Sequence, residues 1–554
     1  MDSASRGHFR LAGQEFPKVT WWKEPEMRKV YFILMFVVLT SATNGYDSSM
    51  VNGLLALDQF KEYRGWIGSR SQFCCSGYVY EGNVCIIQTY LDFDHPTGTI
   101  VGLFSSILFL GGVLAQPIVP YLADFFGRRM AIFSGAVVMI LGVGLQAASF
   151  NLHMFIAGRF LVGFGVAIAH VASPLLIAEL VHPQHRATFT TVYNTTWYVG
   201  SIVAAWLTFG TSQVMNQWSW RVPSMVQAAP PMLQLCFVWF VPESPRWHIS
   251  KGNQEVALRV LAKVHANGNA DDEMVQVEFE EIKSTLKLES ECDSSGGWAE
   301  LWRTKGNRRR LLILATLGLF SQWSGNGLVS YYMSSVLASV GITDSNQQLV
   351  INGVLQIANA CVAVGSCFVV DRVGRRKLFL GSTAGMLVCF VVWTVLSARL
   401  ELSSYENRAM GNAVVFMIFL FYFCYNTAWS GLMVGYAVEI LPFNIRAKGI
   451  AVLWFCIDAS LFVSTFVNPI ALDALHWKYY IFYCVWLAIE FAIISRFYVE
   501  TRNTPLEEIS KYFDGEDAVG NKAVNSEKDR TLAQDTGLGV EKSESTVVVV
   551  QKEV

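Results

Sequence analysis

Charge is scarce in this sequence. Only 16% of its 554 residues are Asp, Glu, Lys or Arg, against about 25% in a soluble protein, which excludes an ordinary soluble domain of this length. The net charge is -2, so no basic excess exists to bind nucleic acid. The 11 cysteines are scattered, and most lie in apolar segments, where they act as small buried apolar residues. None stands at zinc-ligand spacing; Cys74, Cys75 and Cys85 make no such pattern. There is no phosphate-cradling loop, no nucleophile–base motif and no metal set. That excludes an ATP-driven pump and the recognisable enzyme classes, and it leaves no cofactor to expect. Residues 1–29 lack a short apolar core with a cleavage site, so no signal peptide is expected.

Apolar residues are abundant, at 53%. A membrane-crossing helix needs roughly 20 mainly apolar residues. Twelve such stretches follow: 30–57, 99–123, 130–150, 152–176, 190–209, 222–241, 311–340, 349–370, 378–398, 414–438, 450–470 and 479–497. The sequence therefore predicts an all-α membrane protein of twelve transmembrane helices in two six-helix halves. Lys and Arg gather on one side, at Arg28, Arg128, Arg186, the cluster Arg308–Arg310, Arg375 and Arg446. The opposite loops 210–218 and 341–348 carry none. The positive-inside bias places both termini in the cytoplasm.

Five segments result: a cytoplasmic segment 1–29, a first half 30–241 with an outer loop 58–98, a cytoplasmic linker 242–310, a second half 311–497 and a tail 498–554. Within the linker, 253–286 reads as amphipathic helix that is too polar to span. The outer stretch 64–93 reads as a plain loop, as one closed by a disulfide among its cysteines, or as an unspliced intron translated into the sequence, since the text on either side reads well when joined. The tail carries Leu506-Glu507-Glu508, and from 514 onward it is polar enough to be disordered.

The charged residues repeat. Asp124-Phe125-Phe126-Gly127-Arg128-Arg129 returns 247 residues later as Asp371-Arg372-Val373-Gly374-Arg375-Arg376. Glu179 precedes Arg186 by seven, and Glu439 precedes Arg446 by seven. Pro242-Glu243-Ser244-Pro245-Arg246 has a degraded counterpart in Val499-Glu500-Thr501-Arg502. Three motifs in one order in both halves mark a duplication.

Two charges lie inside the apolar stretches. At about 1.5 Å per residue, Asp47 sits roughly 25 Å in from Val30 on the inner side, and Arg159 roughly 10 Å in from Leu152 on the outer side. Both fall in the outer half of the membrane at compatible depth. An ionised side chain there costs at least ~2.5–3.5 kcal/mol, so such groups are usually paired and functional. Asp458 is a further intramembrane carboxylate.

These motifs together resemble those of the major facilitator superfamily, and within it the sugar porters. Gly45-Tyr46-Asp47, Gln322-Trp323-Ser324-Gly325-Asn326-Gly327, Tyr331-Tyr332, Val467-Asn468-Pro469-Ile470-Ala471 and Trp477-Lys478-Tyr479-Tyr480 are most similar to fungal lactose permeases and cellodextrin transporters. The resemblance covers about 30 to 508. It implies a multi-pass carrier, monomeric and in the plasma membrane among lipids, moving a sugar of the disaccharide or hexose class, with proton symport. A uniporter, a carrier of a polyol, glycoside or secondary metabolite, and a non-transporting nutrient sensor are the alternatives.

The resemblance also assigns roles. A first-helix Asp and a fourth-helix Arg couple proton to sugar in similar symporters, which points to Asp47 and Arg159; a permanent structural ion pair is the alternative. Amides suit sugar hydroxyls because they donate and accept without a charge to desolvate. Asn194, Gln322, Asn326, Asn359 and Asn426 are the candidates, with Tyr331, Tyr332 and Trp429 as stacking faces. Gln322 and Asn326 lie four apart, on one helix face. Asp458 is either a hydroxyl acceptor or a solvated group near the outer mouth. The family pattern is altered here: Asn194 shortens a Gln, one Gln of the seventh helix is absent, and Asn326 stands one position early. Asp124, Gly127, Arg128, Arg129, Glu179, Arg186, Glu243 and Arg246, with Asp371, Gly374, Arg375, Arg376, Glu439, Arg446 and Glu500, are expected to form cytoplasmic ion-pair networks that break on rocking.

Overall fold

The computed structural model describes residues 8–11, 14–57, 78–81, 84–87, 98–214, 216–403, 408–502, 509 and 512–514. The tail beyond 514, the motif 506–508 and most of the outer loop, Cys74 and Cys75 included, lie outside the described residues.

Apolar runs in lipid satisfy their backbone groups internally, so they fold as helices. Twelve spans form: Pro25–Ala56, Gly98–Ala115 with Val119–Phe126, Arg128–Ala147, Leu152–Leu180, Arg186–Thr211, Trp218–Val226 with Ala229–Phe237, Lys305–Trp323 with Asn326–Ala338, Ser345–Val373, Arg375–Leu402, Arg408–Ala428 with Leu432–Ile440, Phe443–Leu475 and Tyr479–Phe497. By length and apolarity alone, seven continuous stretches qualify, of which Lys448–Phe497 contains two helices, and the bent second span makes an eighth.

Four spans are interrupted, and each break has a local cause. The second bends by 50° at Gln116–Ile118, where Pro117 lacks an N–H and clashes with the preceding turn. The sixth restarts at Pro230 and Pro231. The seventh breaks at Gly325, whose φ of +100° ends its first part. The tenth breaks before Gly431.

The halves pack alike. Spans one and five, three and four, and three and six meet in the first half; seven and eleven, nine and ten, and nine and twelve meet in the second. The pattern is the same, displaced by six. Spans two with eleven, and five with eight, join the halves. Spans one and five touch backbone to backbone at glycine: a Cβ on Gly200 would stand 1.8 Å from the Ala42 carbonyl oxygen, and one on Gly45 1.9 Å from that of Trp197. Small residues permit that approach in membrane helices.

The linker folds as Pro245–Ser250, Gln254–His265, Glu273–Gly296 and Glu300–Arg303. The 253–286 stretch is thus two helices, parted at Asn267 and Gly268, both at positive φ. Ile249, Leu261, Val275, Phe279 and Ile282 form their own small core, joined by Phe16 from the antiparallel hairpin of His8–Leu11 and Gln14–Pro17. A second hairpin pairs Tyr78–Glu81 with Val84–Ile87 in the outer loop.

Candidate functional site

The two repeated motifs build the same cytoplasmic device. Gly127 has a φ of +97° and Gly374 of +103°, and the third and ninth spans start at the next residue. A helix start presents unpaired N–H groups and the positive end of the dipole. Glu243 fills the first such position: its Oε1 accepts from Arg128 N at 3.0 Å and its Oε2 from Arg129 N at 3.1 Å. A Cβ on Gly127 would collide with Glu243 Oε2 at 2.4 Å, so glycine there serves both the turn and the carboxylate. Glu500 fills the second position, accepting from Arg375 N at 2.8 Å. The Pro-Glu-Ser-Pro-Arg motif and its degraded copy are therefore helix-capping carboxylates.

The side chains repeat too. Arg128 Nε lies 3.3 Å from Glu179 Oε2, and Arg375 Nη2 lies 3.0 Å from Glu439 Oε1. Arg129 donates to the Val241 carbonyl and Arg376 to that of Ser495. Arg186 and Arg446 each donate to the carbonyl five residues earlier, Val181 and Leu441, closing the ends of the fourth and tenth spans. Asp124, mostly exposed, stands 3.4 Å from Arg128. Arg246 is half-buried and faces Glu179. Asp371 lies on the eighth span; its side chain is outside the described set.

One network belongs to the first half alone. Arg186 also pairs with Glu278 of the linker, whose other oxygen lies 2.7 Å from His265 Nδ1. His265 Nε2 reaches the Leu180 carbonyl at 3.2 Å, fastening the linker to the end of the fourth span. Burial pushes the Glu278 carboxyl up, but His265 and Arg186 outweigh it and hold the group down at about 2. Burial pushes the neighbouring His182 imidazole down to about 3. In the second half, Arg310 is buried and binds both oxygens of Asp514 at 2.9 Å.

Within the membrane, Asp47 and Arg159 are both buried, at 0% and 2% exposure. Asp47 faces Arg159 and Gln227; Arg159 lies over the Phe104 ring at 5.1 Å and faces Tyr331 and Tyr332. Both Asp47 oxygens, and Nε and Nη1 of Arg159, are buried without hydrogen-bond partners. The two charges share one layer but make no direct bond.

The amides fall into two groups. Asn359 and Asn426 meet at 3.0 Å, and Tyr198 of the fifth span donates to Asn426 across the halves at 2.9 Å. Asn326 starts the second part of the seventh span and donates to Tyr425 OH at 3.1 Å. Gln322 is half-buried one turn earlier, beside Ser321. Asn194 is exposed, one turn on the cytoplasmic side of Tyr198. Tyr331 packs edge-on against Phe109, and Tyr332 donates to the Thr465 carbonyl. Trp429 is packed between Phe320 and Phe379, inside the second half. Asp458 accepts from Gln116 Nε2 at 2.8 Å, at the bend of the second span.

Several polar partners, some across the halves and some within the second, are not read from the sequence. Asn52 meets Asn352 at 3.3 Å and Gln213 meets Asn346 at 3.0 Å, both toward the outer end. Tyr422 and Tyr425 donate to the Asn326 and Ser321 carbonyls on either side of the seventh-span break. Glu490 is fully buried against Ser324. Gln116, Asn52 and Glu490 carried a signal, as polar residues within apolar runs. The tyrosines carried none, because a phenol is equally at home in a lipid-facing or packing position.

The profile of a family described as "Sugar (and other) transporter" matches residues 33–513. Among characterised proteins, the chain is 28% identical over 465 residues to the MFS-type transporter criB of Aspergillus cristatus, covering 83% of this chain and 96% of that one. It is 29% identical over 416 residues to the low-affinity glucose transporter HXT4 of Saccharomyces cerevisiae, covering 74% and 71%. Among solved structures, the proton:xylose symporter XylE of E. coli, bound to 6-bromo-6-deoxy-D-glucose, superposes with a TM-score of 0.68 at 19% identity, over 88% of this chain and 100% of that one.

Proposed function

The chain belongs to the sugar (and other) transporter family of the major facilitator superfamily, and we propose that it is a secondary carrier for a sugar of the disaccharide or hexose class. It works by alternating access with proton symport, as a single chain in the plasma membrane with both termini cytoplasmic. The observation that carries this reading is the uncharged polar belt between the halves, Tyr198, Asn359 and Asn426, with Asn326 and Tyr425 at the broken seventh span. Amides and phenols match sugar hydroxyls without a net charge to desolvate.

The outer ends of the halves are tied by Asn52–Asn352 and Gln213–Asn346, while Asn194 is exposed on the cytoplasmic side of the belt. That combination fits a carrier closed outside. Arg128 and Arg375 are each held by a glutamate of their own half; rocking would re-pair them across the halves, as bistable interfaces do. Asp47 and Arg159, unbonded in one buried layer, suit a carboxyl that takes and releases the coupled proton. The shortened Asn194 and the displaced Asn326 count against a plain glucose carrier and suit the disaccharide class; a carrier of a polyol, glycoside or secondary metabolite is the second reading.

The test is uptake of labelled lactose, cellobiose and glucose by cells lacking their own carriers. Saturable uptake of at least one is expected. No uptake of any, with the protein at the surface, would overturn the sugar assignment.

A further inference from the structure

Glu490 lies in the middle of the twelfth span and is 0% exposed. An ionised carboxylate at that depth costs at least ~2.5–3.5 kcal/mol. Among the described residues no Lys, Arg or His forms an ion pair with it. Both of its oxygens reach Ser324 Oγ, at 3.1 and 3.0 Å. Ser324 closes the first part of the seventh span, and Gly325 beside it takes the left-handed turn of the break.

The hydrogens at this point can be counted. A serine hydroxyl has one hydrogen to give. Ser324 Oγ bonds the Phe320 carbonyl too, which also accepts from Ser324 N, so its one hydrogen can turn to the carbonyl or to Glu490 but cannot fully serve both. A neutral Glu490 brings a second hydrogen, and with it both contacts of Oγ are satisfied.

We propose that Glu490 is a second proton-binding site of this chain, protonated in the conformation described here, donating to Ser324 and thereby holding the break in the seventh span. It goes beyond the Asp47–Arg159 pair and does not depend on it. The groups that face Glu490 are Ser324 of the seventh span, Trp486 one turn earlier on its own helix, Tyr425 of the tenth span and Tyr498 beyond the end of the twelfth. None of them is a cation. Tyr425 is already committed, donating to the Ser321 carbonyl at 2.7 Å and accepting from Asn326 at 3.1 Å. Tyr422 donates to the Asn326 carbonyl at 2.9 Å. The tenth span thus braces both flanks of the break, and Glu490 braces its centre. Beyond the break lie Asn326, Tyr331 and Tyr332, the seventh span's share of the candidate site. When the proton leaves for water, the one Ser324 hydrogen is drawn to the carboxylate, the hydroxyl gives up the Phe320 carbonyl, and the last turn before the break loses that hold. Glu490 acts on the site through Ser324 and is a positioning residue.

The experiment uses the full chain in lipid vesicles and reads the infrared carbonyl band of protonated carboxyls, in wild type, E490Q, D47N and D458N. The last two assign the other carboxyls deep within the spans, Asp47 and Asp458. A neutral-pH band component that is lost in E490Q, and that fades in wild type as pH rises, is the expected result. Uptake of whichever sugar the wild type carries should lose its alkaline fall in E490Q, because an amide cannot release the proton. An E490Q spectrum identical to wild type would overturn the proposal, whatever the transported solute. So would an E490Q pH profile that follows wild type. E490A should lose uptake several-fold; if it fails to insert, E490Q alone decides.

Discussion

In the first half, Glu243 sits over Gly127 and accepts backbone N–H groups from both Arg128 and Arg129; in the second, Glu500 sits over Gly374 and takes that of Arg375 from the ninth span. Arg128 with Glu179 corresponds to Arg375 with Glu439, and Arg186 with Val181 to Arg446 with Leu441. What surrounds these copies differs. Arg186 is clamped to the linker through Glu278 and His265, whereas the second half is fastened to the tail by Arg310 and Asp514. Deeper in, the first half holds a carboxyl and a guanidinium in one layer, the second two carboxyls without a cation, Glu490 against Ser324 and Asp458 against Gln116. The duplication has kept what ends and restarts helices at the cytoplasmic turns. It has not kept the groups that could respond to protons or to other parts of the chain.

The comparison is tested most severely at the capping carboxylates. E243Q removes an anion from two helix-start N–H groups and should destabilise by about 1 to 2 kcal/mol, whereas E500Q, with one such group, should lose about half as much. Thermal unfolding of the purified variants measures both. Equal losses would mean that the copies are energetically alike despite their different bonding. A smaller effect should separate the clamps. At neutral pH, E278Q should raise hydrogen exchange in 254–265 while leaving 305–323 unchanged, because only the first half uses this carboxylate. The same clamp has an acid limit. The Glu278 carboxyl is held below its ordinary value of 4.5, at about 2. Its contribution is therefore complete above about 4.5 and lost as pH falls through about 2. Linker exchange in wild type should rise across that window, and E278Q should show no such rise.

The twelve spans and the repeat were legible because they rest on local properties: apolar length, positive charge, and glycine beside arginine. The breaks were only partly legible. Pro117 and Gly325 stand in the sequence at two of them, but nothing there tells a kinked span from one whose parts are separate helices. The role of Glu243 was not legible, since an acid two residues beyond a predicted span end gains its meaning only from the helix start it caps, 114 residues away for Arg129. Asn359 and Asn426 were found as amides, yet their partner Tyr198 was not. The sequence offers Trp429 as a stacking face because aromatic type carries no direction; helix packing turns it into the core. Asp47 and Arg159 were placed at one depth by counting, which works because helix rise is nearly constant, whereas their lack of a direct bond depends on side-chain paths that counting does not give.

In the carrier as proposed, the first-half carboxyl takes the coupled proton while the repeated cytoplasmic device changes partners around it. The most direct measurement records external pH in carrier-deficient cells during sugar uptake, for wild type and for D47N at equal surface level. Alkalinisation that tracks uptake is expected in wild type, and in D47N its loss together with that of the pH dependence of transport. Proton-linked uptake with an unchanged pH profile in D47N would contradict it.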